Sequence, residues 1–247
     1  MQRYFVERIE NDEVLLTGDD AHHIVKVMRM QPGDSMYCCA NGKTALCTVA
    51  EITNEFVKAA VVQWVEESNE LPVFVTIASG LPKGDKLELV VQKGTELGAA
   101  AFLPFQAKRS IVKWDSKKGD KKVERWTKIA KEAAEQSHRA VVPSVYAPVT
   151  FKELLAMSAN YDICIVAYEE ESKQGEQARF AGALERLQPG EKALLVFGPE
   201  GGLAEEEVTQ LREANFIPCG LGPRILRTET APLYALSAVS YHFELMR

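Results

Sequence analysis

The chain has 247 residues, 46% of them hydrophobic and 26% charged, with a formal net charge of −6. That length allows one large domain or two moderate ones with ample core, and the ordinary composition excludes a disordered chain. The negative charge argues against indiscriminate polyanion binding, and no apolar run approaches the roughly 18 residues of a membrane span.

The opening MQRYFVERIE is charged throughout and lacks the apolar centre of a signal peptide, so a cytoplasmic location is expected. Residues 1–70 are expected to form a small β-rich domain. RYFVE, EVLLTG, SMYCCA, TALCTVAEI and FVKAAVVQWV are short runs rich in Val, Tyr, Phe and Thr. Turn signals such as Pro32-Gly33-Asp34 and Asn41-Gly42 separate them. One helix interrupts the series at GDDAHHIVKVMRM, with Asp19 or Asp20 able to cap it and Pro32-Gly33 to stop it. His22, Lys26 and Arg29 recur there at i, i+4 and i+7, a cationic stripe that suggests a binding face. Ala21, Ile24, Val25 and Met28 would cover the other side. EESNELP, Glu66 to Pro72, is polar and ends in proline, which makes it the candidate linker to a second domain over 71–247.

From Val73 strands alternate with helices. VFVTIAS, AAFLPF, SVYAP, DICIVAY, KALLVF and FIPCG read as strands. Helices are expected near 86–97, 121–139, 151–158, 175–187, 204–214 and 230–246. Such alternation predicts an α/β fold, a mostly parallel sheet covered on both faces, with ligands beyond the carboxyl ends of its strands. Three glycine-bearing turns fall there: SGLPKG, FGPEGG and GLGPR. The last helix, APLYALSAVSYHFELM, is apolar on nearly all sides, as expected if neighbours bury it within a chain or between chains.

The five cysteines include no Cys-x-x-Cys pair, and most sit in apolar runs, which points to reduced, packed thiols. The four histidines lack metal-ligand spacing, so no metal is expected. From Ala107 to Ala140 there are eleven Lys and Arg against five Asp and Glu. That local excess is either a solvated helix face or the electrostatic footprint of a nucleic acid.

LLVFGPEGGLAEEEV has the strand, glycines and helix of a phosphate loop, yet Glu200 occupies the turn and no cation precedes Arg212. A carboxylate repels polyphosphate at close range, so the turn suits a neutral or cationic ligand with hydroxyls. S-adenosylmethionine fits: it carries a cationic sulfonium, a ribose and no phosphate. The glycines could equally serve only to make the turn tight.

FGPEGGLAEEE followed by GLGPRILRTETA resembles the signature of the SPOUT (α/β-knot) RNA methyltransferases. The resemblance narrows to the RsmE-type family, which methylates N3 of a uridine in 16S (small-subunit) ribosomal RNA, and it extends along nearly the whole chain. HHIVKVMRMQPGD looks like that family's PUA-like N-terminal domain, and KLELVVQKGTELG, QAKRSIV and AAEQSHRAVVP match further motifs in order. The resemblance implies a SPOUT trefoil-knot methyltransferase domain with a small PUA-like β-barrel before it. It also implies a homodimer, S-adenosyl-L-methionine as cofactor and ribosomal RNA as partner, within the small subunit.

Phe197, Gly198, Pro199, Glu200, Gly201 and Gly202 are then expected to form one wall of the cofactor pocket. Leu221, Gly222, Ile225, Leu226 and Thr228 would form the other, with Tyr168 and Glu169 as weaker candidates. Arg227 is expected to orient or stabilise the uracil, and Glu229 or Glu200 to accept its proton. A structural Arg–Glu pair beside a capping threonine would explain the same residues. Lys26, Arg29, Lys93, Arg109 and Arg139 are the candidate RNA contacts, joined by the cations from Lys113 to Lys122. Buried ion pairing between these helices is the competing account for Glu96 and Glu135. Two other functions compete: a non-catalytic RNA-binding or ribosome-assembly protein with a relic pocket, and a nucleotide-utilising α/β enzyme.

Overall fold

A computed structural model describes residues 1–112, 114, 116–168 and 178–246 of the chain. Its contacts divide into two compact units, Met1–Glu70 with Ala134–Val142, and Leu71–Ala133 with Pro143–Arg247. A cut at 70/71 alone would leave 134–142 with the second unit. Glu70 explains why it joins the first: its Oε1 accepts the backbone N–H groups of Ala140 (2.9 Å) and Val141 (3.2 Å).

In the first unit β1 (Arg3–Phe5), β2 (Glu13–Thr17), β3 (Ser35–Ala40), β4 (Lys43–Ile52) and β5 (Phe56–Val65) lie in the order β1-β3-β4-β5-β2. Only β1 and β3 pair in parallel. Asn41 and Gly42, both at positive φ, make the two-residue turn between β3 and β4. The β4–β5 register shifts between Leu46 and Cys47 and again between Val49 and Glu51, and such bulges bend a sheet. The result is a half-barrel whose edge strands β1 and β2 are not paired with each other. Tyr4, Val14, Leu16, Met36 and Val57 fill it, together with Ile24 from the helix.

That helix starts at Gly18–His22 and widens into a π-turn at His23–Val27, where Met28 N bonds to His23 O five residues back. Arg29 follows at φ 53°, outside the helix. The i, i+4, i+7 arithmetic therefore does not hold Arg29 to the face of His22 and Lys26. Met30 is buried where Met28 was expected to be.

The second unit carries a seven-stranded sheet in which every pairing is parallel. Its strands are β6 (Phe74–Gly80), β7 (Ala101–Gln106), β8 (Ser144–Val145), β9 (Val149–Thr150), β10 (Ile163–Ala167), β11 (Lys192–Phe197) and β12 (Ile217–Cys219). They run β12-β10-β11-β6-β7-β8, with β9 also on β7. VFVTIAS, AFLPF and KALLVF are apolar without alternation because helices cover both faces. The helices Lys86–Glu96, Ser116–Gln136, Phe151–Met157, Ala178–Arg186, Glu205–Glu213 and Thr230–Ser240 match the expected ones in kind. The last continues as a π-turn to Leu245. Pro232, Ala235, Leu236, Val239 and Phe243 cover one side of it, while Tyr234, Tyr241 and Leu245 stay exposed. All five cysteines are free thiols. No helix among the described residues is long and apolar enough to cross a membrane.

Candidate active site

β10, β11 and β12 lie side by side and end together, at Ala167, Phe197 and Cys219. The segments that follow them enclose a cavity of about 390 Å³, within the usual range for small-ligand sites. The first wall is the turn after β11, closed by a bond from Gly202 N to Pro199 O at 2.8 Å. It folds so tightly that a Cβ on Gly198 would lie 3.0 Å from Gly202 C and Leu203 N, and Gly202 sits at φ +67°. These glycines are required by the turn itself, whatever they bind.

The second wall is Leu221, Ile225, Leu226 and Thr228, with Tyr168 beyond β10. Ile225 is an apolar side chain 79% exposed over the cavity. Of the expected cofactor residues among those the structure describes, only Gly222 does not line the space. Two cations also do. Arg224 follows in the second wall, and Arg109, expected on RNA, donates from Nη1 to Gly201 O at 3.2 Å. Arg109 could not be placed from sequence, because the loop after β7 meets the Gly201 turn only through the sheet order.

The missing cation beside Glu200 also comes from afar. Glu200 Oε1 accepts from Lys86 Nζ at 2.8 Å and from Lys83 N at 3.0 Å. Burial alone would push the Glu200 carboxyl up. The bond from Lys86 and those from the Glu200 and Lys83 amides outweigh it and hold the group below the ordinary carboxylate value. Lys86 in turn is raised, chiefly by its bond to Glu200. Its Nζ also lies 3.6 Å from Glu229 Oε2. That oxygen is buried and has no hydrogen-bond partner among the described residues. The signal for Lys86 was LPKGDK, a glycine turn that fails as a phosphate loop but offers a Lys to a turn holding a lone Glu.

Arg227 is exposed, and its carbonyl accepts the Thr230 and Ala231 amides at the start of the last helix. Neither Arg227 nor Glu229 lines the cavity, whereas Glu200 does. Lys26 and Arg29 are exposed on the first unit. Lys93 Nζ pairs with Glu96 at 2.7 Å three residues along one helix, so the Glu96 pair lies within a helix and not between helices as expected. Arg139 is a correction: it is 3% exposed, and its guanidinium binds the Glu70 carboxylate. A side chain so enclosed makes no surface contact with RNA. Lys113 and Glu169 lie outside the described residues, as do the side chains of Lys117 and Lys118.

A parallel sheet with a glycine-walled cavity beyond the ends of three adjacent strands is the layout of an α/β enzyme that binds a nucleoside-type cofactor. The RNA methyltransferase domain family matches residues 69–240, and the RNA methyltransferase PUA domain family matches residues 16–62. The chain belongs to this RNA methyltransferase family, with the mixed α/β SPOUT fold preceded by a PUA-like half-barrel. Ribosomal RNA small subunit methyltransferase E of Bacillus subtilis is 56% identical, over 100% of this chain and 99% of its own. A crystal structure of a protein described as hypothetical is 54% identical, covers 100% of both chains and superposes with a TM-score of 0.93. The Neisseria gonorrhoeae ribosomal RNA small subunit methyltransferase E, bound to S-adenosyl methionine, is 28% identical over 97% of both chains, with a TM-score of 0.84.

Proposed function

We propose that this chain is an S-adenosylmethionine-dependent methyltransferase of small-subunit ribosomal RNA, and that the atom it methylates is N3 of a uridine. The observation that carries the reading is the cavity between the FGPEGG turn and the LGPRILRT segment, at the ends of three parallel strands. Its surface fits the cofactor. Apolar Leu221, Ile225 and Leu226 would hold the adenine, turn amides and carbonyls its edge and ribose, and Arg109 or Arg224 a carboxylate. When bound, S-adenosylmethionine supplies a sulfonium methyl group that can be transferred to a nucleophile, leaving a neutral thioether.

The chain's own residues must make that nucleophile. Uracil N3 carries a proton and gains its electron pair only when the proton leaves. Glu229 or Glu200 would accept it: Glu200 lines the cavity, with its Oε1 already taking two donors, and Glu229 stands at the start of the last helix, next to the cavity-lining Thr228 in sequence. Arg227, exposed beside it in sequence, would face the charge that develops on the uracil oxygens. Holding the base against the methyl carbon supplies much of the remaining rate.

The finer parts of the reading are proposals of the same kind. Residues 1–70 would act as the PUA-like RNA-binding domain and 71–247 as the methyltransferase domain, knotted as a trefoil. Lys26, Arg29 and Lys93 would contact RNA phosphates, and the substrate would be the small ribosomal subunit in the cytoplasm. A homodimer is supported by the exposed apolar stripe of Tyr234, Tyr241 and Leu245 on the last helix.

The test joins calorimetry with S-adenosylmethionine to tritiated methyl transfer onto small-subunit ribosomal RNA. Mass spectrometry then locates the methyl group. Micromolar cofactor binding and methyl on uridine N3 are expected. Cofactor binding without transfer to any ribosomal substrate would instead favour an assembly protein, and no binding at all would remove the enzyme.

A further inference from the structure

We infer that Glu207 is a positioning residue for the cofactor: it pins the loop after β7 so that Arg109 faces the cavity and binds the carboxylate at the amino-acid end of S-adenosylmethionine. The inference rests on the methyltransferase reading and decides which of the two cavity arginines takes that carboxylate. Glu207 is 5% exposed and sits in the first turn of the helix Glu205–Glu213. Its two oxygens accept from different segments, Oε2 from Ala204 N at the helix N-cap and Oε1 from Lys108 N in the loop after β7, each at 2.8 Å. One buried carboxylate thus ties the two segments together, and the next residue along the loop is Arg109.

The loop is itself a tight turn, in which Ser110 N donates to Ala107 O at 3.0 Å and Ser110 Oγ accepts Ala107 N at 3.2 Å. Gly201 completes the contact. A Cβ there would lie 3.1 Å from Arg109 Cβ, and Arg109 Nη1 donates to Gly201 O at 3.2 Å. Arg109 is therefore held at its backbone and at its tip. A guanidinium carries five N–H donors, so the bond to Gly201 O leaves others for a ligand. Arg224 has no such clamp among the described residues.

Position and charge select the ligand group. Along the sheet the order is β12, β10, β11, β6, β7, so Leu221 and Tyr168 reach the cavity from one side of β11 and Arg109 from the other. Arg224 belongs to the same segment as Ile225 and Leu226. A ligand with its adenine on that apolar wall extends its far end toward Arg109. Arg109, Arg224, Glu200 and Glu205 are the charged residues of the lining. Two cations balanced by two acids suit a zwitterion, whose ammonium an acid can meet, better than an RNA phosphate, which the acids would repel.

The experiment measures, by calorimetry on the full-length protein, the affinities of S-adenosylmethionine and of its decarboxylated analogue, which lacks only the carboxylate. Wild type is compared with Arg109→Met, Arg109→Lys, Glu207→Gln, Glu207→Asp and the double variant Arg109→Met/Glu207→Gln. Wild type should prefer S-adenosylmethionine by about tenfold or more, the scale of a hydrogen bond between charged groups. Arg109→Met should erase that preference while changing the analogue's affinity by less than about twofold. Arg109→Lys should recover part of it, because an ammonium keeps the charge and loses the planar fork. Glu207→Gln sets an amide donor against a backbone donor, and Glu207→Asp is one methylene too short to reach both amides. Each should reduce the preference and spare the analogue, which a general loss of structure would not do. Added to Arg109→Met, Glu207→Gln should reduce the preference no further, because the two residues act as one unit.

An unchanged preference in Arg109→Met, or equal weakening of both ligands, would overturn the inference. An unchanged preference with a raised KM for ribosomal RNA would give Arg109 to an RNA phosphate instead. Equal weakening of both ligands in the Glu207 variants would make Glu207 a purely structural residue. A wild type that binds both ligands equally would remove the inference and keep the methyltransferase reading, whereas one that binds neither would remove both.

Discussion

Glu70 and Glu200 both occupy polar turns in the sequence, and each meets a cation distant in the chain, yet the two sites are built on opposite plans. Glu70 closes on Arg139 and on two backbone amides, and the Arg139 side chain is 4% exposed. On its far side Arg139 offers its carbonyl to Arg3 Nη1, which also reaches Thr44 Oγ1. Lys86, by contrast, is 36% exposed and shared between two carboxylates, one of which keeps an oxygen without a hydrogen bond. A buried pair with its donors and acceptors used holds a fold together. A half-exposed bridge stays in contact with water, which screens its charges and lowers its contribution to the fold.

The comparison breaks first at Glu70. Glu70→Ala would strand the Arg139 charge in the interior and should cost about 3–5 kcal/mol in denaturant unfolding. Glu200→Ala, at a site open to water, should cost far less. Equal losses would mean that the bridge at Lys86 is a structural pair too. Next comes Glu207, 5% exposed, whose two oxygens accept Lys108 N and Ala204 N at 2.8 Å each. Removing both acceptors with Glu207→Ala should cost about 2–4 kcal/mol in the same measurement.

Gly198→Ala tests the cavity wall. The added Cβ would press on the backbone of Gly202 and Leu203, and neither can swing away as a side-chain tip could. S-adenosylmethionine affinity, read by calorimetry, should fall by about tenfold or more, equivalent to roughly 1.4 kcal/mol. Unchanged affinity would show that the turn does not shape the cofactor site.

Much of this was legible in the sequence, for physical reasons. Strands of the second unit announced themselves because a sheet buried on both faces needs unbroken apolar runs, as in KALLVF. FGPEGG announced a sharp turn because glycine alone meets its steric demand, and the segments following β10, β11 and β12 converge because parallel strands end on one edge. What stayed hidden depended on sheet order. Lys86 reaches Glu200 because β6 and β11 are neighbours, and no local pattern encodes that pairing. Arg109 and Arg139 look alike in a list of cations, yet one borders the cavity and the other is enclosed. The π-turn at His23–Val27 likewise defeated a count based on 3.6 residues per turn.

A smaller effect separates Glu200 from a merely local anchor. Its carboxyl is held below its ordinary value of 4.5 in the folded chain. The stability it contributes is therefore fully present above about pH 4.5 and lost as pH falls through the lower folded value. The melting-temperature gap between wild type and Glu200→Gln should be constant at neutral pH and close below pH 4.5. A gap that persists in acid would assign the loss to altered packing and not to charge.

The smallest effect is expected one residue before Glu207. Glu205, Glu206 and Glu207 are identical in sequence and open the same helix, where carboxylates suit the amide end of the dipole. Their surroundings divide them: Glu205 lines the cavity, Glu207 is buried on two amides, and Glu206 pairs with Lys108 Nζ at the surface. The Glu206 and Lys108 side chains are 68% and 63% exposed, so water and salt screen the pair, and ordering two long side chains offsets most of its attraction. Glu206→Ala should leave the unfolding midpoint unchanged within error at physiological salt. At low salt a slight loss is expected, because the bond from Lys108 holds the Glu206 carboxyl below the ordinary carboxylate value and the pair is less screened. A loss comparable to that of Glu207→Ala would mean that position in the helix, and not the buried amides, decides what these three carboxylates contribute.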